Sequence, residues 1–567
     1  MPETSPAALD AYFAQYFACH PVAATFTGVH AHDHALPDWS SAGRAADVAA
    51  MRVLHAQLMD AHPLPAHGVR ALRTDAVALD AELARANLEV RMAEAESGHF
   101  VSRNPALWTG EAIFSCVSLM TRAFAPAAER LPALAARLRA IPGFLASMRV
   151  EVVGPVPRLW AMRAERECAA AVALLGEGVR GWMAGEGVDT EGSEGAAVLA
   201  AAEGARGAFA AAAEGVVGVR SADMNEVGVG EGLLATLLRR GHFCEEAPRD
   251  LLARAERAMV REAAVLTEQV ATSFDGDWSR AQAAMAADRP AATEYYDTFV
   301  RRWNTVRAAA MAQDVVTWPE WPIRYVPIPA WARAAQPQLY WLFYRSPAPF
   351  DPYTVYDYVV APVEPDMSPD DQLQRLAAWN HSTIMLNHVV HHGGIGHHVQ
   401  NWHAVHRSSS RVGTIAAVDA ASRIGMFLGG SMAEGWACYA TQLAEELGVF
   451  TPLERLSEQH TRVRQVARAI VDLRLHLGDW SFDDGVAYYR SQVGMSADMA
   501  AGETTKNSMF PATALMYWLG TQGILDLRAE QRAARGASFS LRAFHDDLLG
   551  RGAIPVSLVA RLMASEQ

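Results

Sequence analysis

The chain has 567 residues, 51% of them hydrophobic and 20% charged, which is ample apolar material for a large buried core in one domain or several. Its 63 acidic and 49 basic residues leave a formal net charge of −14. The arginines are scattered rather than clustered, which argues against a nucleic-acid partner, because phosphate contacts need grouped Lys and Arg.

The N-terminus, "MPETSPAALDAYFAQYF", has neither a basic start nor a continuous apolar run, and no stretch of eighteen uncharged apolar residues follows. A cytoplasmic protein without membrane contact is therefore expected. Cys19, Cys116, Cys168, Cys244 and Cys438 are isolated and odd in number; they make neither a disulfide framework nor a zinc pattern and fit a reducing compartment. No feature specifies an oligomeric state.

Apolar residues at three- and four-residue intervals predict helices in "AALDAYFAQYFACH", "LPALAARLRAIPGFLASM", "PRDLLARAERAMVREAAVLTEQV" and "LERLSEQHTRVRQVARAIVDLRLHL". The Gly-, Ala- and Glu-rich stretch from about 185 to 230 reads as loops around short helices. Strands are expected only in "VRSADMNEVGVG" (219–230), "IRYVPIP" (323–329) and "LYWLFYRS" (339–346). The Pro- and Trp-rich passage 315–338 separates a helical first part, 1–320, from a second, 321–567. The expected fold is mostly α, one large helical unit with a deep cleft and a small β element. Aromatic residues of 336–360, Tyr340 and Tyr344 among them, are expected to line that cleft.

Seven of the chain's 20 histidines fall within "NHVVHHGGIGHHVQNWHAVH", 387–406. Imidazole is a poor repeated core filler but a good ligand for Zn, Fe, Mn or Ni. On a helix, His388 shares a face with His391 and His392. His391 and His398 also share a face, but at about 1.5 Å per residue they stand some 10 Å apart. That pair, or His391 with His397, meets at one ion only if the backbone bulges or breaks, and Gly393, Gly394 and Gly396 are the residues to allow it. The nearest promising carboxylate is Glu434, in "GGSMAEGWACYATQLAEEL" on a separate helix. Two histidines and a glutamate make a catalytic zinc set with an open position; the same set also describes non-haem iron.

With these motifs in view, the chain resembles the domain-of-unknown-function 885 family, helical relatives of HExxH-type metallopeptidases. The family's H-E-x-x-P-G-H-H-x-Q and E-G-W-A-x-Y appear as "HHGGIGHHVQ" (391–400) and "EGWACY" (434–439). "HPVAATFTGVHAHDHALPDWS" (20–40), "LPALAARLRAIPGFL" (131–145), "ARAIVDLRLHLGDWS" (467–481) and "FHDDLLGRGAIPVSLVARLM" (544–563) extend the likeness over nearly the whole chain. The resemblance implies a metallopeptidase-like fold with His391, His397 and Glu434 as metal ligands and His398, His392 or His388 as alternatives. It also implies that Arg468, Asp472 and His476, at four-residue spacing, present one helix face to substrate or ligand, or else form a buried ion pair.

The departures lie mostly at polar positions. His392 stands where the family has the glutamate that takes a proton from metal-bound water. Ile395 replaces Pro and Thr441 replaces Glu. In "KNSMFPATALMYWLG" (506–520), Lys506, Asn507, Thr513 and Trp518 replace Arg, Tyr, Gln and Lys, while Pro511 and Tyr517 remain. The expected activity is a metal-dependent hydrolase acting on a peptide, amide or small amide-like substrate. It would use a divalent metal, zinc before iron or manganese, with His392 serving as base or ligand. Tyr517 or a histidine would stabilise the oxyanion, and Arg468 and His476 would assist. The alternatives are an iron or manganese oxygenase or lyase of specialised metabolism, and a metal-binding relative without turnover.

Overall fold

The computed structural model describes residues 7–63, 69–218, 220–221, 227–335, 348–352, 356–418 and 425–564. It is mostly helical, with two small two-stranded sheets.

The helices start where local chemistry supplies acceptors for their unpaired N–H groups. Asn104 accepts from the Ala106 N–H ahead of helix Pro105–Thr121, and Ser496 does the same for Met499 ahead of Ala497–Met509. Thr451 and Glu454 form a reciprocal capping box, with Pro452 at the first position of helix Pro452–His476.

Two large hydrophobic cores and two small clusters form among the described residues, and each of the large ones joins residues from both sides of position 320. One packs Trp108, Trp160 and Trp182 with Val463, Ile470 and Trp518. The other packs Tyr12 and Leu83 with Val389, Trp436 and Leu562. Buried Arg137 ties the N-terminal segment to the first core, donating to the carbonyls of Ala35 (3.1 Å), Pro21 (3.0 Å) and Ser115 (2.8 Å) and to Thr25 Oγ1 (2.8 Å). That web satisfies a guanidinium whose burial would otherwise cost several kcal/mol.

The stretch expected as loops from 185 to 230 is instead dominated by a long helix, Ser193–Gly218. Val198, Ala202, Ala205, Phe209, Ala212 and Val216 repeat at four- and three-residue intervals and are all buried in the first core, where the helix packs against Ala127–Glu151 and Arg158–Ala173. Glycine lowers its intrinsic propensity, and the packed seam overrides that. Among the described residues, it is the one helix long and apolar enough by length and composition to cross a membrane.

β1 (Val156–Pro157) pairs in parallel with β2 (Arg220–Ser221), a short remnant of the strand expected over 219–230. β3 (Ile323–Pro327) pairs in parallel with β4 (Tyr356–Val360), from Ile323 opposite Tyr356 to Pro327 opposite Val360. The strand expected at 339–346 lies outside the described residues, as do Tyr340 and Tyr344. β4 carries Tyr358 against the histidine segment, so this sheet helps to orient the site.

Candidate metal centre

The histidine segment is not a regular helix. Asn380 caps its first turn by accepting from the Thr383 N–H at 2.9 Å, and residues Ile384–Gly393 then widen into a π-helix. The chain breaks at Gly394 and Gly396 (ψ −120° and −123°), and helix His397–His406 begins immediately. At Gly396 a Cβ atom would lie 1.9 Å from the His391 carbonyl oxygen, so only glycine permits the approach. A widened turn followed by a break brings His391 and His397 together, with ring centres 4.8 Å apart.

The seven histidines separate by environment. The ligand nitrogens of His391, His392 and His397 lie within 4.8 Å of one another. His388, an expected alternative ligand, is instead buried, with Nδ1 2.6 Å from the Tyr358 hydroxyl and its ring stacked 4.0 Å from Trp379. His398, another alternative, turns away to the Trp321 carbonyl (2.9 Å). His403 and His406 contact the carbonyls of Thr317 and Trp402. A residue or two of phase on a helix reverses the direction of a side chain, which is why adjacent His397 and His398 have opposite surroundings.

Glu434 comes from helix Gly430–Glu446. Its Oε2 lies 3.3 Å from His391 Nε2 and 3.6 Å from His397 Nε2. Neither contact has hydrogen-bond geometry, and this buried oxygen has no hydrogen-bond partner among the described residues. Ligands of a tetrahedral zinc with bonds of roughly 2.0–2.2 Å stand roughly 3.3–3.6 Å apart, because the tetrahedron's edge is about 1.63 bond lengths. The donor types suit such an ion, and the two carboxylate–imidazole distances match this edge length.

Helix Gly430–Glu446 is held close by small residues: a Cβ on Gly435 would lie 2.5 Å from the backbone of Gly520 on helix Met516–Arg535. The Trp436 indole N–H donates to the carbonyl of Ile395 at 2.8 Å and reaches that of Gly396 at 3.2 Å. The two sequence motifs are thus joined directly.

Burial lowers the pKa of His391, and burial together with His391 and His397 holds His392 well below its usual value. Both rings are neutral at neutral pH. His392 places Nδ1 2.6 Å from the Asn387 carbonyl, so that nitrogen carries the hydrogen and Nε2 keeps a lone pair. Burial alone would raise the Glu434 carboxyl, but His391 and His397 hold it well below the carboxylate range. Cys438, one turn beyond Glu434, sits 3.9 Å from His391 Nδ1, and burial followed by Glu434 keeps its thiol protonated.

A model of one bacterial family of unknown function, DUF885, matches residues 21–563. The chain belongs to that family. No curated protein matches it. Two solved structures share the fold along essentially the full chain. One, described as a proposed lipoprotein of unknown function from Shewanella oneidensis, is 19% identical with a TM-score of 0.73, covering 98% of each chain. The other, a proposed lipoprotein from Colwellia psychrerythraea, is 15% identical with a TM-score of 0.77, covering 100% of this chain and 99% of that one. The cytoplasmic location expected from the sequence gains no support from these descriptions.

The three histidines and Glu434 line a cavity of about 1140 Å³, shared with Arg468 and Tyr517. Arg468 forms a two-pronged pair with Glu503 (2.7 and 2.8 Å) and lies 4.7 Å over the Tyr517 ring. Burial would raise the Glu503 carboxyl, but Arg468 and Lys506 hold it far below its ordinary range.

The Arg468–Asp472–His476 face does not act as one unit. Asp472 accepts from the N–H groups of Ala512 (3.0 Å) and Leu515 (3.2 Å), and His476 Nε2 contacts the Asn507 carbonyl at 2.8 Å. Both are fully buried, outside the cavity lining, and pin the turn after helix Ala497–Met509. His476 is therefore corrected from an assisting residue to a scaffold residue: a rise of two turns carries it past the cavity's end. Thr441 donates to Glu458 at 3.1 Å, a carboxyl that burial pushes up to about 7.

Sequence reasoning missed Glu503, which lies 35 residues from its partner with no local spacing to mark it. It also passed over Arg464, although four-residue spacing from Arg468 places both on one face.

Proposed function

We propose that the protein is a divalent-metal hydrolase related to zinc metallopeptidases, with His391, His397 and Glu434 holding the ion. The observation that carries this reading is the buried Glu434 oxygen, which has no hydrogen-bond partner among the described residues and faces the imidazoles of His391 and His397 at tetrahedral-edge distances. A zinc ion bound there supplies a Lewis acid and a water ionised near neutral pH. His392 does the work of the absent glutamate: its Nε2 lone pair takes a proton from the nucleophilic water. Asn387 fixes the ring in the required tautomer. Tyr517, on the same cavity wall, is the hydroxyl offered to the developing oxyanion. The substrate is a peptide, amide or small amide-like molecule. A lipid-anchored setting of the kind described for the two solved relatives suits this chemistry as well as the cytosol does.

A second reading has one observation in its favour, the clustering of three histidine nitrogens within 4.8 Å. With His392 as an additional ligand the site would suit iron or manganese and oxygenase or lyase chemistry.

The deciding experiment is metal analysis of protein from its native host, combined with an amide-hydrolysis screen of wild type and His391→Ala. About one zinc per chain, and hydrolysis lost in the variant and on chelation, are expected. Hydrolysis that persists through both treatments would eliminate the proposal. Iron in place of zinc would favour the second reading, and stability indifferent to every divalent metal would favour a non-catalytic protein.

A further inference from the structure

Helix Pro452–His476 presents a polar face to the cavity: Ser457, His460, Thr461, Arg464, Gln465 and Arg468 all line it, at the three- and four-residue intervals of a single helical stripe. Charges on this wall do not balance. Arg468 is neutralised by Glu503, whereas the Arg464 guanidinium makes no hydrogen bond or ion pair among the described residues, and its Nε is buried without a partner.

Arg464 also stands one turn from Arg468, a spacing at which like charges destabilise a helix. Burial and the neighbouring Arg468 both disfavour its protonated form, and the more distant pull of the Glu503 carboxylate, already paired to Arg468, only partly offsets them. Keeping a half-buried cation with no ion-pair partner among the described residues costs stability unless an anion completes it. Independently, Gln465 is 3% exposed and its side-chain nitrogen also lacks a partner. Two adjacent donors therefore wait in one wall of the cavity that holds the histidines.

We infer that Arg464, assisted by Gln465, forms a carboxylate-binding subsite, and that the substrate is an N-acyl amino acid or peptide whose free α-carboxylate docks there. This deepens the hydrolase reading and rests on it for the reaction, though not for the binding. Arginine's planar fork matches a carboxylate with two parallel hydrogen bonds, and exclusion of water strengthens the pair. Arg464 lies close enough to Cys438 and Tyr517 to interact with both electrostatically, so the docked carboxylate lies near the ligand cluster. The scissile amide is then the one next to the terminal carboxylate. Its C–N bond breaks, the water oxygen joins the acyl carbon, and both water hydrogens end on the released nitrogen. The acyl part leaves as a carboxylate. The remainder leaves as an amino acid whose nitrogen, already bearing the amide hydrogen, has become an ammonium group, so atoms and charge balance.

The test is calorimetric binding of N-acetylglycine, hippurate and N-acetyl-alanyl-alanine, each against its methyl ester, to full-length zinc-loaded protein. At least one acid should bind ten-fold or more tightly than its ester. Arg464→Gln should erase that advantage, and Arg464→Lys, which keeps charge but loses the fork, should retain part of it. Because Arg464 has no hydrogen-bond or ion-pair partner among the described residues, Arg464→Gln should melt no lower than wild type. An acid-over-ester preference that survives Arg464→Gln would place the carboxylate on the metal and overturn the inference, as would equal binding of acid and ester or no binding by any probe. His391→Ala separates this from the hydrolase reading: turnover and metal should go, while Arg464-dependent binding of the acid should stay.

Discussion

The indole N–H of Trp436 reaches across to the carbonyls of Ile395 (2.8 Å) and Gly396 (3.2 Å), so the residue two positions after Glu434 fixes the turn just before His397. The carboxylate and the imidazoles are thereby held by one hydrogen-bonded contact between two motifs distant in sequence. Groups that orient ligands in this way commonly govern affinity by about 10–100-fold.

Trp436→Phe keeps most of the bulk but takes the indole donor from the Ile395 carbonyl, while the Gly396 carbonyl keeps the Gln400 N–H at 3.1 Å. A loss of about 1–3 kcal/mol of stability is expected from the one acceptor deprived of its donor, and metal affinity should fall by about ten-fold or more. Chelator competition measures the second effect, and unchanged affinity would show that the turn holds its shape unaided.

Glu434→Gln should remove the bound ion while leaving the helix intact, because the amide keeps the side chain's shape and loses its charge. Zinc at about a hundred times its dissociation constant should raise wild-type stability by about 2.7 kcal/mol. The variant should show no such response. Melting curves with and without zinc decide the matter.

Gly396→Ala places a methyl group 1.9 Å from the His391 carbonyl oxygen. The backbone must move to accept it, so a penalty of about 3 kcal/mol or more is expected. His397 should lose its position as well, so that zinc no longer stabilises whatever folded protein remains.

His30 bridges Asp33 (2.8 Å) and Asp351 (2.9 Å). Burial alone would lower its pKa, but hydrogen bonds to these two carboxylates raise it to about 9. A histidine whose folded-state value is raised stabilises the fold fully below its unfolded value, near 6.5, and loses that contribution as pH climbs through the folded value. His30→Gln should therefore cost about 1–2 kcal/mol at about pH 6, after allowance for solvent screening. The difference in melting temperature from wild type should close by about pH 10. A difference constant across that range would mean that the ring acts through packing on Phe124 rather than through charge.

Helical character was legible wherever apolar residues recurred at helical intervals, and the histidine cluster was legible because seven imidazoles in twenty positions exceed any packing need. The glycines announced a distortion in the same stretch. The sequence misleads at 193–218, where alanine and glycine mask a helix that only its neighbours make stable: a seam of small buried residues has little signal until another helix lies against it.

By itself, then, the sequence determined the helical class, the family and the residue types that can gather around one ion, because these depend on local periodicity and on side-chain chemistry. Tertiary structure alone decided which histidines do gather. His391 and His397 meet Glu434 with His392 beside them, while His388 and His398 serve Tyr358 and Trp321, since direction on a distorted helix depends on how far each turn is widened. It also decided that Arg468 is neutralised by Glu503, that His476 is scaffold and that Arg464 makes no hydrogen bond or ion pair among the described residues. Charge balance in a buried cavity is set by whichever chain segments meet there, and those segments are far apart in sequence.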